Sequence, residues 1–240
     1  MNRLIGFIVV TGLVSASAAP ASAAAAGPFS GFYVGVNLGG ASGESLFDPI
    51  SDPNGTVASA KGDDRRLIGG GLFGYDWRSP DGIVLGAEAD FNGTGLGQHA
   101  VAPAIIGGAP IGPNPQVDYF ARLHWTSSIR GRVGFVANRL MIYGTGGVVF
   151  GQVRVDTNQT SRDSSIHTGW TAGAGAEWAF TRAWSAGVEY RYSDLGTRDY
   201  DTGLFFSDAI PPGPLPTLHV RMGLTVDQLM ARLTYHIGAR

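Results

Sequence analysis

The side chains best equipped for chemistry in this chain come two residues apart. Glu88 stands with Asp90, Arg130 with Arg132 and Glu189 with Arg191, and Glu177 and Arg232 complete a set of four carboxylates and four guanidiniums. A carboxylate pair does acid–base work when its two members are held in different protonation states, whereas carboxylates matched by arginines form a structural ion network. The matched counts point to the network, because charges in low dielectric persist only when paired and hydrogen-bonded. His124 and Ser127 suggest a base and a nucleophile, but three residues along a strand place them on opposite faces, out of hydrogen-bonding reach. His99, His124, His167, His219 and His236 are scattered without metal-ligand spacing. Asp52-Pro53-Asn54-Gly55 resembles the start of a calcium loop without the remaining ligands, so turn chemistry accounts for it better. The glycine clusters lack the Gly-Lys-Ser/Thr of a phosphate loop. No catalytic residue, metal ligand or cofactor site is expected, and the absence of Cys removes disulfide and thiolate chemistry.

A spacing of two is the period of a β-strand, so strands must carry these charges. The clearest case is a hairpin around Thr181-Arg182. Trp170, Ala172, Ala174, Ala176, Trp178 and Phe180 share one face of its first strand, with Thr171, Gly173, Gly175 and Glu177 on the other. On the second strand, Trp184, Ala186, Val188, Tyr190 and Tyr192 oppose Ser185, Gly187, Glu189, Arg191 and Ser193. The same split recurs along the chain. Phe32, Val34, Val36 and Leu38 alternate with Tyr33, Gly35, Asn37 and Gly39; Phe73, Tyr75 and Trp77 with Leu72, Gly74 and Asp76; Ile83, Leu85, Ala87, Ala89 and Phe91 with Val84, Gly86, Glu88, Asp90 and Asn92. A fourth strand sets Trp125, Ser127, Ile129, Gly131, Val133 and Phe135 against Thr126, Ser128, Arg130, Arg132 and Gly134. The fifth, Leu140 to about Val153, is apolar or glycine on both faces and its register is ambiguous. The eighth lies near Leu229 to Ile237, with Arg232 on its polar row.

Connections alternate in length as the side chains alternate in polarity. Turns at 78–82, 137–139 and 181–182 are short, while 41–64, 94–118, 154–166 and 197–225 are long and rich in Gly, Pro, Asp, Asn and Ser. Tight turns at one end, long loops at the other and segments near the roughly 9 to 11 residues of a membrane strand describe an outer-membrane barrel with its long loops outside the cell. An even strand number then places both termini in the periplasm. The fold expected is an all-β, eight-stranded antiparallel up-and-down transmembrane β-barrel. The aromatic rows face lipid, since an Arg on the lipid face costs about 2–4 kcal/mol near the midplane. Phe32, Trp77, Trp170, Trp178, Trp184, Tyr190 and Tyr192 are expected at the membrane interfaces. The eight charged residues fill a lumen just wide enough for side chains.

The amino-terminal stretch agrees with that destination. Met1-Asn2-Arg3, the apolar run Leu4 to Val14 and the small Ala21-Ser22-Ala23 read as a secretory signal peptide over residues 1–23, followed by a short linker (24–30) and the barrel domain (31–240). The apolar run is shorter than the roughly 20 residues of a spanning helix. About 217 residues then remain, one domain's worth for a barrel or sandwich. Lys61 is the single lysine, an unusual scarcity for a water-facing β surface. A net charge of −2 without a basic stripe argues against nucleic acid as a partner.

Ser30-Gly31-Phe32-Tyr33-Val34-Gly35, Gly69-Gly70-Gly71 with Gly74-Tyr75, Gly86-Ala87-Glu88-Ala89-Asp90-Phe91, Arg130-Gly131-Arg132-Val133-Gly134 and Tyr143-Gly144-Thr145-Gly146-Gly147 follow one another in a recognisable order. They resemble the successive strand motifs of the small outer-membrane β-barrel surface-protein family, relatives of the OmpA-like transmembrane domain, and Gly169–Phe180 and Trp184–Gly196 continue the likeness. The resemblance implies an integral outer-membrane protein, often a surface antigen and often labelled porin-like, without a catalytic site. Its implied partners are outer-membrane lipid, lipopolysaccharide and the barrel-assembly machinery, besides a surface ligand that the residues do not name. The family usually ends on an aromatic residue read by that machinery; here Ile237 holds the place and Gly238-Ala239-Arg240 follow. The functional expectation is a structural and surface-interaction barrel with a filled lumen. A small porin is the alternative, and a lipid-modifying outer-membrane enzyme stands third. A soluble lipocalin-like barrel is opposed by the number of interior charges.

Overall fold

The computed structural model describes residues 28–50, 55–57, 60–106, 109–110, 116–157, 162–204 and 217–238. The signal peptide, the linker before Pro28 and Asp52–Asn54 lie outside the described residues. Among the described residues ten strands follow in order: β1 (Gly31–Ile50), β2 (Gly55–Val57), β3 (Ala60–Arg78), β4 (Ile83–Ile106), β5 (Ala109–Pro110), β6 (Gln116–Ala137), β7 (Leu140–Thr157), β8 (Arg162–Ala179), β9 (Trp184–Leu204) and β10 (Thr217–His236). The eight long ones form an antiparallel meander. β4 pairs with β6 across the short β5, and β1 pairs with β10 from Tyr33↔His236 to Ile50↔His219, so the sheet closes on itself. Closure removes the edges that a bilayer cannot satisfy.

Three short turns sit at one end. Gly82, at a φ of 88°, closes the β3–β4 turn with its N–H on the Ser79 carbonyl. Asn138 occupies the left-handed region at 56° between β6 and β7, a conformation asparagine tolerates. Between β8 and β9 the Thr181 hydroxyl accepts from the backbone N–H groups of Ala183 and Trp184, at 3.2 and 2.9 Å.

The strands are longer than expected, 18 to 24 residues each. Much of what the Gly- and Pro-rich composition marks as long loop continues as paired hairpin. β1 stays in register with β3 as far as Phe47↔Ala60, and β10 starts at Thr217 rather than near Leu229. The reason is that a hairpin's backbone groups are satisfied by the partner strand whatever the side chains are.

Alternation sorts the side chains as expected. Phe32, Leu38, Phe73, Ile129 and Leu229 are each 63% exposed on the outside, while their neighbours Tyr33, Asn37, Leu72, Arg130 and Met230 are buried inside. The ambiguous register of β7 is settled by its polar partners: Met141, Tyr143, Thr145, Val149 and Val153 point inward. Two inward tyrosines lie flat over bare backbone. A Cβ on Gly74 would fall 2.5 Å from the Tyr33 ring, and one on Gly175 2.5 Å from the Tyr143 hydroxyl.

Candidate functional site

The lumen is stacked in layers. At the turn end Phe29, fully buried at a φ of 67°, packs in a cluster with Val84, Val136, Met141, Tyr143 and Ala179. Its chain is held there by Arg78, whose Nη1 donates to the Pro28 carbonyl at 3.1 Å. At the other end Leu96, Ala121, Leu123, Val153, Met222 and Leu224 surround a void of about 10 Å³, room for at most one water. Between these apolar layers lie the charges.

Register explains how the charges reach one another. Arg132 lies opposite Gly86, Glu177 and Arg232 opposite Gly187, Glu189 opposite Gly175, and Arg191 opposite Gly173. A glycine beside each long side chain lets it extend across the lumen instead of along the wall. Arg130 lies opposite Glu88 and contacts it closely; it also reaches Asp90 at 3.0 Å, Glu189 at 2.6 Å and the Thr145 hydroxyl at 3.1 Å. Arg232 bonds Glu88 and Glu189, with Glu177 at 3.1 Å from its Nε. Arg191 bridges Asp90 at 3.2 Å and Glu189 at 2.9 Å. No charged side chain of this group is more than 3% exposed.

Arg132 departs from the sequence expectation. The neighbouring strands that carry Glu88 with Asp90 and Arg130 with Arg132 suggest that both arginines pair with those two carboxylates, but the bonds of Arg132 run to Asp76 at 3.2 Å and Glu177 at 2.9 Å, and its guanidinium lies over the Tyr143 ring, 3.9 Å from the centroid. Adjacent strands fix which residues are level, whereas an arginine's reach decides the partner. Asp76 is thus a fifth carboxylate that the sequence reading left out, although its alternation with Tyr75 and Trp77 marks it as inward. Tyr33 and Tyr143 were also overlooked; their hydroxyls donate to Glu88 at 2.9 Å and to Glu189 at 3.0 Å. Tyr33 carried the same parity signal, and Tyr143 was hidden by the two-faced apolarity of its strand.

The outward aromatics fall into two groups. Phe32, Trp77, Trp178 and Trp184 stand near the turn end, Trp184 packing on Tyr235 at 5.1 Å. Trp170 and the half-buried Tyr192 lie further along, 5.4 Å apart, as do Phe91 and Trp125, stacked at 5.5 Å. Tyr190 lies between these levels and bonds Asp227. The eight steps from Trp178 to Trp170 cover about 27 Å of strand, or about 20 Å of height at the tilt of such barrels, close to the usual apolar band.

The Ser–His reading also changes. A β-bulge between Leu123 and Trp125 shifts the parity of β6, so His124 and Ser127 both lie off the lumen rather than on opposite faces. The Ser127 hydroxyl donates to the Asp90 carbonyl at 2.9 Å. A different pair meets inside: Ser185 Oγ lies 3.1 Å from His236 Nε2, both buried, with the Phe29 ring edge-on to the imidazole at 5.4 Å. Among the described residues His236 Nδ1 has no partner, so the third, orienting member of a nucleophilic triad is missing.

A closed barrel of amphipathic strands, apolar outside and ion-paired within, defines an integral outer-membrane protein. Residues 11–206 match the outer membrane protein beta-barrel domain, and the chain belongs to that family. It is 37% identical over 204 residues to the 31 kDa outer-membrane immunogenic protein of Brucella melitensis, covering 78% of this chain and 80% of that one. It is 34% identical over 177 residues to the 22 kDa outer membrane protein of Rhizobium leguminosarum, covering 73% and 69%. The crystal structure of the outer membrane protein OprG from Pseudomonas aeruginosa shares the fold, with a TM-score of 0.55 at 12% identity over 88% of this chain and 99% of that one.

Proposed function

We propose that this outer-membrane barrel is a non-catalytic structural and surface-interaction protein with a closed lumen, its long hairpins outside the cell and both termini in the periplasm. The observation that carries the reading is the buried network of Arg130, Arg132, Arg191 and Arg232 with five carboxylates, sealed by an apolar layer at each end. Moving an ion through it would separate buried charges from the partners that compensate them. The immunogenic character of the Brucella relative fits a protein that presents its long hairpins outward. Ser185 and His236 belong, in this reading, to the packing beneath Phe29.

Conductance tests closure. The refolded protein in a planar bilayer should give no large, steady channel, and such a channel from the unmutated protein would establish the porin alternative. Orientation has its own test: epitope tags at Asn54 and Pro212 should be labelled by antibody on intact cells, and a tag at Asn138 should not. The reverse pattern would overturn the topology.

A further inference from the structure

On the outer wall, β6 and β7 set two arginines side by side. Arg122 and Arg154 are directly opposite in register and exposed, while the neighbouring Leu123 and Val153 point into the lumen. Like charges facing each other across a sheet destabilise it, and among the described residues neither arginine has an ion-pair partner. Across β4, the Asp64 carboxylate accepts from the N–H of Gly97, the residue opposite Arg122. That carboxylate is already bonded to Arg66 at 2.9 Å and to the Arg65 N–H at 2.8 Å.

Height identifies what would neutralise the pair. On the same outer face Trp125, stacked on Phe91, donates to Gln152 at 2.8 Å. Arg154 lies two residues beyond Gln152, about 7 Å further along the strand. The neighbouring strand changes character at the same level: Ile166, opposite Gln152, is apolar, and Ser164, opposite Arg154, is polar. The two guanidiniums therefore stand just past the aromatic belt, facing sideways at headgroup depth, where paired arginines suit a phosphate.

We propose that Arg122 and Arg154 form a binding site for a phosphate group of lipopolysaccharide in the outer leaflet. The proposal rests on the orientation given above. Phosphorylated lipid A is titrated into the refolded full-length protein in neutral detergent, with native mass spectrometry as the readout. The Arg122→Ser/Arg154→Ser variant should bind about tenfold or more weakly, the loss of charge-assisted phosphate contacts. Arg139→Ser, at an exposed turn on the other end, should bind as the parent does, and dephosphorylated lipid A should bind the parent as weakly as phosphorylated lipid A binds the double variant. Arg154→Glu supplies a second readout. It places opposite charges face to face, so it should raise the unfolding temperature in neutral detergent and weaken lipid A binding. Equal binding by parent and double variant, or indifference to dephosphorylation, would overturn the site; tighter binding of phosphatidylglycerol would overturn the glycolipid assignment. Tag labelling tests the orientation independently.

Discussion

Arg130→Ala should destabilise the refolded barrel by about 3–5 kcal/mol, the cost of stranding buried charges, against a total stability of about 5–15 kcal/mol for an ordinary domain. Arg130 is 1% exposed and holds Glu88, Asp90 and Glu189 together, so its loss leaves three carboxylates with less compensation. Adding Glu88→Ala should recover part of the loss. One of the stranded carboxylates then disappears, and Arg232, the other arginine on Glu88, keeps Glu177 and Glu189. The measurement is the urea midpoint of unfolding, followed by circular dichroism, for the parent, both single variants and the double. Strict additivity would mean that the two side chains do not interact.

Gly147→Ala should cost about 1–3 kcal/mol, the range for overpacking a filled interior. Gly147 lies opposite Arg130, and a Cβ there would fall 2.1 Å from the Ile129 carbonyl oxygen and 2.7 Å from the Arg130 Cα. Those are backbone atoms, so relief requires β7 to move away from β6 at the level of the network. Gly144→Ala is the control, because it faces outward and its added methyl would meet only the Gly173 carbonyl oxygen at 3.8 Å. Equal urea midpoints for the two variants would show that the lumen has slack at this level.

The expected eight-stranded barrel was legible because a two-residue period sorts side chains to two faces without reference to any other strand. Glu88, Asp90, Glu177, Glu189 and the four arginines were each readable as inward from their own neighbours, and Asp76 and Tyr33 obeyed the same rule unnoticed. The rule failed where its premise did. At β7 both faces are apolar or glycine, so no parity could be chosen, and at Leu123–Trp125 a bulge reversed the parity on which the separation of His124 from Ser127 depended. Strand length was misjudged because composition records turn-forming tendency, whereas pairing in the hairpin extensions depends on the backbone.

By itself, the sequence determined which side chains face outward and which inward on the strands with a clear two-residue period, where the tight turns fall, and that the interior carries arginines and carboxylates able to pair. These follow from local periodicity and the cost of a charge in hydrocarbon. Only the tertiary structure decided who pairs with whom: Arg132 with Asp76 and Glu177, Arg232 with Glu88 across 144 residues, Ser185 with His236, and Phe29 as the seal at the turn end. Closure of the barrel brings strands distant in sequence around one narrow axis, and the reach of each guanidinium past a facing glycine then selects its partners.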